Sequence, residues 1–173
     1  LPAGLPASIA VVLHRSAVPS ELSEVLGRRS AFPVVEPKGS GPLNHGVIYL
    51  APADHHLLLN RRGVAIQRSP KEHATRPAID PLFRSAAASY GKRVAGILLT
   101  GCGEDGVSGL ISISQASGLT LAQDPQDAYM PYMPMNALRF DDVAGVFPLH
   151  EMASVVVELV MGRSVPAGKA PVP

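Results

Sequence analysis

Short apolar runs that alternate with helix-like spacing limit the folds open to this chain more than any other feature. The runs lie at residues 9–13, 47–50, 94–99 and 119–122, and each has the length of a strand buried on both faces. Apolar residues recur three and four positions apart at residues 21–27, 80–90, 106–116 and 150–161. This alternation predicts an α/β fold with buried parallel strands.

Residues 47–69 interrupt the alternation. They hold short extended segments separated by turn residues, and the run Asn60-Arg-Arg-Gly63 is typical of a hairpin connection. We therefore expect a small antiparallel excursion beside an otherwise parallel sheet.

The helix at residues 80–90 has the clearest ends. Asp80 followed by Pro81 predicts a side-chain cap and a preset first turn, and Gly91 predicts the end of the helix. After residue 163, Pro, Gly, Ala and Lys predominate and no apolar face can be drawn. We expect one domain over residues 1–163, as the length of 173 residues also favours, followed by a flexible tail over residues 164–173.

Charge and cysteine content exclude several kinds of partner. Fifteen Lys and Arg against 14 Asp and Glu leave a net charge of +1, so there is no excess field to hold a nucleic acid. One cysteine, Cys102, cannot form an internal disulfide, which fits a cytoplasmic protein. The longest apolar stretch near the end is interrupted by Glu158 and is too short for a bilayer, so we expect no membrane insertion.

A glycine-rich turn follows the apolar run at residues 94–99, and strand ends of this kind bind ligands in α/β sheets. Gly101, Gly103 and Gly106 satisfy the dinucleotide pattern G-x-G-x-x-G, with Asp124 at the end of the next strand. A pyrophosphate in this turn would meet acidic side chains, because two unit charges 4 Å apart repel by roughly 4 kcal/mol at an effective dielectric constant of 20. Dinucleotide binding is therefore a minor hypothesis.

The same turn offers a carboxylate, Asp105, that can orient a histidine acting as a base. His14 ends the run at residues 9–13, so the two side chains can meet where their strands end. The simpler interpretations stay open at this point: His14 as the first polar residue after a core strand, and Asp105 as the cap of the helix that begins near Gly106.

Several segments together resemble the CheB-type chemotaxis-receptor methylesterases. Their order along the chain is as follows: Val11-Val-Leu-His14, Gly46-Val-Ile-Tyr-Leu-Ala-Pro52, His56, Arg76-Pro-Ala-Ile-Asp80, Leu82-Phe83, Leu98-Leu-Thr-Gly-Cys-Gly-Glu-Asp-Gly106, Ala122-Gln123 and Met133-Pro134. The resemblance implies a doubly wound, three-layer α/β/α domain that removes methyl groups from receptor glutamates through a Ser-His-Asp triad, without a cofactor or metal.

The resemblance also assigns roles to particular residues. It implies that His14 is the base, that Asp105 orients it, and that the backbone N–H of Cys102 stabilises the oxyanion. Arg76 and Met133 are implied on the substrate side, although a plain surface salt bridge is the alternative for Arg76. The implied partners are the cytoplasmic helices of methyl-accepting receptors and, upstream, a phosphorylatable receiver domain.

The nucleophile implied by the resemblance has no counterpart in this chain. The family's serine stands in a Gly-Ala-Ser-x-Gly-Gly turn after a first strand, and no such turn precedes His14, so we expect strand and serine to lie before Leu1. The serines nearest to candidate positions are Ser8, Ser16, Ser108 and Ser112, and for each a structural role is the expected one.

Some positions differ from the family pattern. Cys102 replaces a usual methionine, Ala78 a serine, Thr75 a frequent histidine and Tyr132 a glycine. A catalytically degenerate binding or regulatory module is therefore the alternative function.

A metal site at His55 and His56 is not expected, because neighbours on a strand point to opposite faces. His45, His73 and His150 are interpreted as loop or cap residues.

Overall fold

The computed structural model describes residues 1–18, 20–140 and 143–163. Eight strands and five α-helices follow one another in this part of the chain. In order they are β1 (Ile9–Val11), α1 (Leu22–Gly27), β2 (Val34–Val35), β3 (Ile48–Leu50), β4 (His56–Asn60), β5 (Gly63–Gln67), α2 (Ile79–Tyr90), β6 (Ala95–Leu98), α3 (Val107–Gln115), β7 (Leu119–Gln123), α4 (Tyr132–Phe140), β8 (Gly145–Phe147) and α5 (Leu149–Val160). The predicted α/β class is confirmed.

The strands form two parallel sheets of three strands and one hairpin. The first sheet has the order β1-β3-β2 and the second the order β6-β7-β8, with all pairs parallel. Strands β4 and β5 pair in antiparallel fashion, with Asn60 opposite Gly63, which confirms the predicted hairpin. Within the described residues, β1 and β6 each pair on one side and therefore present a free edge.

Helices α2 and α3 pack against each other and support the ends of strands β4 and β6. Gly109 makes this close approach possible, because a Cβ atom there would lie 2.4 Å from Cβ of Phe83. Leu110 of α3 is buried in the core together with Leu98 of β6 and Ala122 of β7. The loop between β6 and α3 is thereby held against the start of α2.

Two of the sequence predictions need correction or extension. The helix predicted from Asp80 and Pro81 is present and Gly91 ends it, but Asp80 lies inside its first turn, and the residue before the helix is Ala78, which has no capping side chain. The alternation also missed β2, α4 and β8. Strand β2 has two residues, β8 has three, and α4 carries Pro134 in its first turn, so none has a long periodic pattern.

The predicted tail over residues 164–173 lies outside the described residues, and the boundary of the domain at residue 163 stays a prediction. None of the helices that the structure describes is long and apolar enough to cross a bilayer.

Candidate active site

The loops that follow β1 and β6 border an open cleft of about 500 Å³. Its walls come from the loop after β1, the loop before α2, the β6–α3 loop and the start of α4. The lining residues are His14, His73, Thr75, Cys102, Gly103, Glu104, Asp105, Tyr132 and Asn136. Both the expected base, His14, and the carboxylate expected to orient it, Asp105, are among them.

His14 and Asp105 are joined by a short hydrogen bond. The distance from Nε2 of His14 to Oδ2 of Asp105 is 2.6 Å, across 91 positions of sequence. The histidine side chain is 30% exposed, whereas the aspartate side chain is 1% exposed. A buried carboxylate thus orients an imidazole that solvent and substrate can reach, and Nδ1 is the ring nitrogen left to accept a proton.

Asp105 is held in its ionised form by its neighbours. Burial alone would raise its pKa, but the hydrogen bond to His14 and the backbone N–H groups of Ile79 and Asp80 outweigh burial and lower the pKa below its ordinary value of 3.8. These amides donate to Oδ2 at 2.7 Å and to Oδ1 at 3.0 Å. An ionised Asp105 can stabilise the imidazolium that forms when His14 takes a proton.

Asp80 and Asp105 exchange the helices that they cap. Each lies in the sequence beside one helix, but its carboxylate caps the other. Asp105 lies just before α3, yet its carboxylate accepts the first two amides of α2. Asp80 lies in the first turn of α2, yet its Oδ1 accepts the backbone N–H groups of Gly106 at 3.0 Å and Gly109 at 2.7 Å, at the start of α3. Both anions stand at the positive ends of helix dipoles, and the interpretation of Asp105 as the cap of α3 is wrong.

A second histidine in the cleft contacts Asp80. Nε2 of His73 lies 2.9 Å from Oδ2 of Asp80, and the histidine side chain is 41% exposed. His73 and Ala74 have positive φ angles of 48° and 61°, between reciprocal backbone hydrogen bonds that join Glu72 and Thr75. Sequence analysis placed His73 in a loop and missed its contact, which no local motif signals.

The start of α3 is not available to a dinucleotide. In that mode of binding the pyrophosphate sits against free amides at the helix N-terminus. In this chain Asp80 already accepts the amides of Gly106 and Gly109, and Asp105 fills the turn with a carboxylate paired to His14. Gly106 and Gly109 instead allow close packing against Ile79 and Phe83 of α2.

Cys102 is exposed on the cleft wall. No hydrogen bond from its backbone N–H is found within the described part of the chain, so this group can donate to an oxygen in the cleft. The flanking backbone is fixed by two hydrogen bonds: Gly101 N–H donates to Met130 O at 2.9 Å, and Met133 N–H donates to Gly101 O at 3.0 Å.

The two residues expected on the substrate side stand away from the cleft wall. Arg76 donates to Asp54 and, at 2.7 Å, to the carbonyl oxygen of Ser69, which matches the salt-bridge alternative. Hydrogen bonds from Arg76 and Arg68 lower the pKa of Asp54. Met133 is 4% exposed and packs in the core beside Gly101. A substrate-side role for Arg76 and Met133 stays a prediction.

His56 is a structural residue. It is fully buried, and its Nδ1 accepts the backbone N–H of Ala78 at 3.1 Å while its Nε2 lies 3.0 Å from the carbonyl oxygen of Pro70. These contacts tie together both ends of the loop that carries His73. His55 contacts the carbonyl oxygen of Ala53 instead.

Among the residues that the structure describes, one group has side chains suited to a metal. Ligand atoms of His73, Asp80 and Asp105 lie within 4.8 Å of one another. Their carboxylates already accept four backbone N–H groups and contact two imidazoles, so a metal ion would compete with hydrogen bonds that are already made.

Two of the serines weighed as nucleophiles donate their hydroxyl groups to backbone carbonyl oxygens. Ser8 donates to the carbonyl oxygen of Asn44, and Ser112 donates to the carbonyl oxygen of Ser108 within α3. Ser16 is exposed in the loop after His14. Among the described residues, no serine hydroxyl hydrogen bonds to the imidazole of His14.

Comparisons with known proteins agree on one family. A family model described as CheB methylesterase matches residues 1–156. The chain is 38% identical over 160 residues to a protein-glutamate methylesterase/protein-glutamine glutaminase of Anaeromyxobacter dehalogenans, covering 92% of this chain and 47% of that protein. It is 37% identical over 134 residues to one from Rhodospirillum rubrum, covering 75% and 35%.

A solved structure gives the same result. The crystal structure of the Thermotoga maritima CheB methylesterase catalytic domain superposes with a TM-score of 0.85 at 28% identity, covering 92% of this chain and 87% of that one. By contrast, the chain spans less than half the length of the two curated relatives.

Proposed function

This chain belongs to the CheB methylesterase family, and from that membership we propose that it hydrolyses γ-glutamyl methyl esters on the cytoplasmic helices of chemoreceptors. The observation that carries the proposal is the 2.6 Å hydrogen bond between an exposed imidazole and a buried carboxylate at the ends of two parallel strands. A solvent-accessible base held by a buried acid is what ester hydrolysis through an alcohol nucleophile requires.

In the proposed reaction a serine hydroxyl attacks the ester carbonyl while Nδ1 of His14 takes its proton. The tetrahedral intermediate collapses, His14 returns the proton to the departing methoxide, and methanol leaves an acyl-serine. Water then attacks the acyl group by the same proton transfers and releases the glutamate. Asp105 keeps its charge throughout and stabilises the imidazolium.

The backbone N–H of Cys102 is proposed to stabilise the oxyanion. It lies on the cleft wall one residue after Gly101, whose two backbone hydrogen bonds hold the turn in place. A fixed donor aimed at a developing negative charge contributes about 3 kcal/mol to the barrier reduction. Because the donor is backbone, the replacement of a methionine side chain by cysteine is compatible with this role.

The serine is proposed to arrive on a strand between β1 and β6. Each of these strands has a free edge within the described residues, and the loops that follow them meet at His14 and Asp105. One added parallel strand, from residues upstream of Leu1, would join the two parallel sheets into one. Its C-terminal end would then bring a serine turn to the cleft.

The same cleft is proposed to deamidate receptor glutamines, since an amide is attacked through the same tetrahedral intermediate. We also propose a cytoplasmic location and control by a receiver domain. These proposals follow from the family resemblance.

A catalytically degenerate module that binds receptors without turnover is the second candidate, favoured by Tyr132, whose side chain is 57% exposed on the cleft wall in place of the family's glycine.

Methanol release from a methyl-esterified receptor tests this function. The protein is produced with its natural upstream sequence, and wild type is compared with His14→Asn and with the exposed control His150→Asn. We expect methanol from wild type and the control, and a loss of at least about 10³-fold in H14N. Receptor binding without methanol release by wild type would establish the degenerate module instead.

A further inference from the structure

Asp80 and His73 form a second imidazole–carboxylate pair beside the first. The mechanism above uses neither residue, although His73 lines the cleft and Asp80 is 1% exposed. A buried carboxylate is costly unless it is paired and hydrogen-bonded. Asp80 meets this requirement through two backbone donors on Oδ1 and the imidazole of His73 on Oδ2. The role of this pair beside the catalytic one is the question.

Hydrogen bonds in both directions lock Asp80 to Asp105. The backbone N–H of Asp80 donates to Oδ1 of Asp105, and the carboxylate of Asp80 accepts the N–H of Gly106, the next residue in the chain. Rotation of the Asp105 carboxylate would break the first bond, and a shift of its backbone would break the second. The position of Asp105 relative to α2 is therefore fixed twice.

We propose that Asp80 and His73 are a positioning pair that holds Asp105 at hydrogen-bonding distance from His14. Asp80 acts through the peptide that follows Asp105, and His73 sets the direction of the Asp80 carboxylate by occupying its second oxygen. The consequence for turnover rests on the proposed function, but the positioning itself does not.

The backbone around His73 is shaped for this contact. His73 and Ala74 both have left-handed φ angles; histidine, asparagine and aspartate adopt such angles more often than other non-glycine residues, whereas alanine rarely does. The contacts of His56 with Pro70 and Ala78 hold the two ends of this loop. The chain thus maintains an unfavourable turn that brings an imidazole to Asp80.

The proton in the His14–Asp105 hydrogen bond provides the readout. A proton held between nitrogen and a carboxylate oxygen 2.6 Å apart resonates far downfield in a proton NMR spectrum, and lengthening the bond moves it upfield. The spectrum is recorded on the 173-residue protein without substrate. H14N identifies the resonance by removing it.

Four variants separate positioning from folding. Asp80→Asn keeps an oxygen for Gly106 and Gly109, whereas Asp80→Ala removes it. His73→Gln keeps an amide N–H at the Nε2 position for Asp80, whereas His73→Ala removes the donor. We expect the resonance near its wild-type position in D80N and H73Q, lost in D80A and moved upfield in H73A. Val155→Ala, in the distant packing between α5 and β8, destabilises the core and should leave the resonance unchanged.

Turnover supplies the second readout, measured as methanol release by the upstream-extended protein. We expect kcat to fall about 100-fold in D80A with KM unchanged, because misplacement near 1 Å has that effect. An unchanged resonance in D80A, or an equal change in V155A, would overturn the proposal. Should D80A not fold, identical spectra for H73A and H73Q would overturn it. If wild type releases no methanol, the proposed function fails. The NMR comparison of the variants still tests whether Asp80 and His73 position Asp105.

Discussion

Replacing Asp105 by alanine should destabilise the protein by roughly 3 kcal/mol at pH 7. The substitution removes the acceptor for two amides at the start of α2, at 2.7 and 3.0 Å, together with the partner of His14. A backbone N–H left without a partner costs about 1–3 kcal/mol according to its burial. The hydrogen bond of the Asp80 amide is buried and that of the Ile79 amide is part-buried, which places the sum in the lower half of the range of about 2–6 kcal/mol for two groups.

The loss of stability in D105A should be smaller in acid, because the pKa of Asp105 is lowered in the folded protein. A carboxyl group whose pKa is lower in the folded than in the unfolded protein stabilises the fold fully above the unfolded value, which is 3.8 for Asp105. This contribution declines as the pH falls through the folded pKa. The D105A variant has no such group, so wild type and variant converge below about pH 4.

Urea unfolding followed by circular dichroism at pH 7, 4 and 3 measures both effects. Glu104→Ala is the control, because Glu104 is the adjacent carboxylate and is exposed; surface substitutions of this kind usually stay within about 0.5 kcal/mol. A D105A loss below about 1 kcal/mol at pH 7, or the same loss at all three pH values, would refute the assignment of Asp105 as an ionised helix cap.

Two further predictions concern the scaffold. His56→Leu should cost roughly 2–4 kcal/mol in urea unfolding, because it leaves a buried N–H and a carbonyl oxygen without partners; a loss under about 1 kcal/mol would contradict the structural role. Gly109→Ala should lower stability more than Gly101→Ala in the same assay, since a Cβ at residue 109 meets Cβ of Phe83 at 2.4 Å, whereas at residue 101 it meets the flexible side chain of Met133. Equal losses would mean that the contact between α2 and α3 relaxes freely.

The pairing of His14 with Asp105 could be predicted because it depends on strand ends. Residues that follow parallel strands meet at one edge of a sheet, and the family resemblance pointed to the same two residues. The class of fold and the hairpin at Asn60–Gly63 were accessible for a similar reason, since periodicity and turn residues act locally.

The exchange of helix caps could not be predicted in this way. Capping rules relate an aspartate to the helix that follows it, and by those rules Asp80 belongs to α2 and Asp105 to α3. The tight packing of α2 on α3 brings each carboxylate to the other helix instead. His73 was missed because its contact with Asp80 depends on two positive φ angles at residues without the glycine that usually signals them.

A double-mutant cycle on His14 and Asp105 tests the central claim most directly. Methanol release is measured for the upstream-extended protein carrying His14→Asn, Asp105→Asn or both. If the two residues act as one proton-transferring unit, each single change lowers kcat/KM by about 10³- to 10⁴-fold, and the double variant is no slower than the slower single variant. Losses that multiply in the double variant would show that the two side chains act independently and would contradict the account.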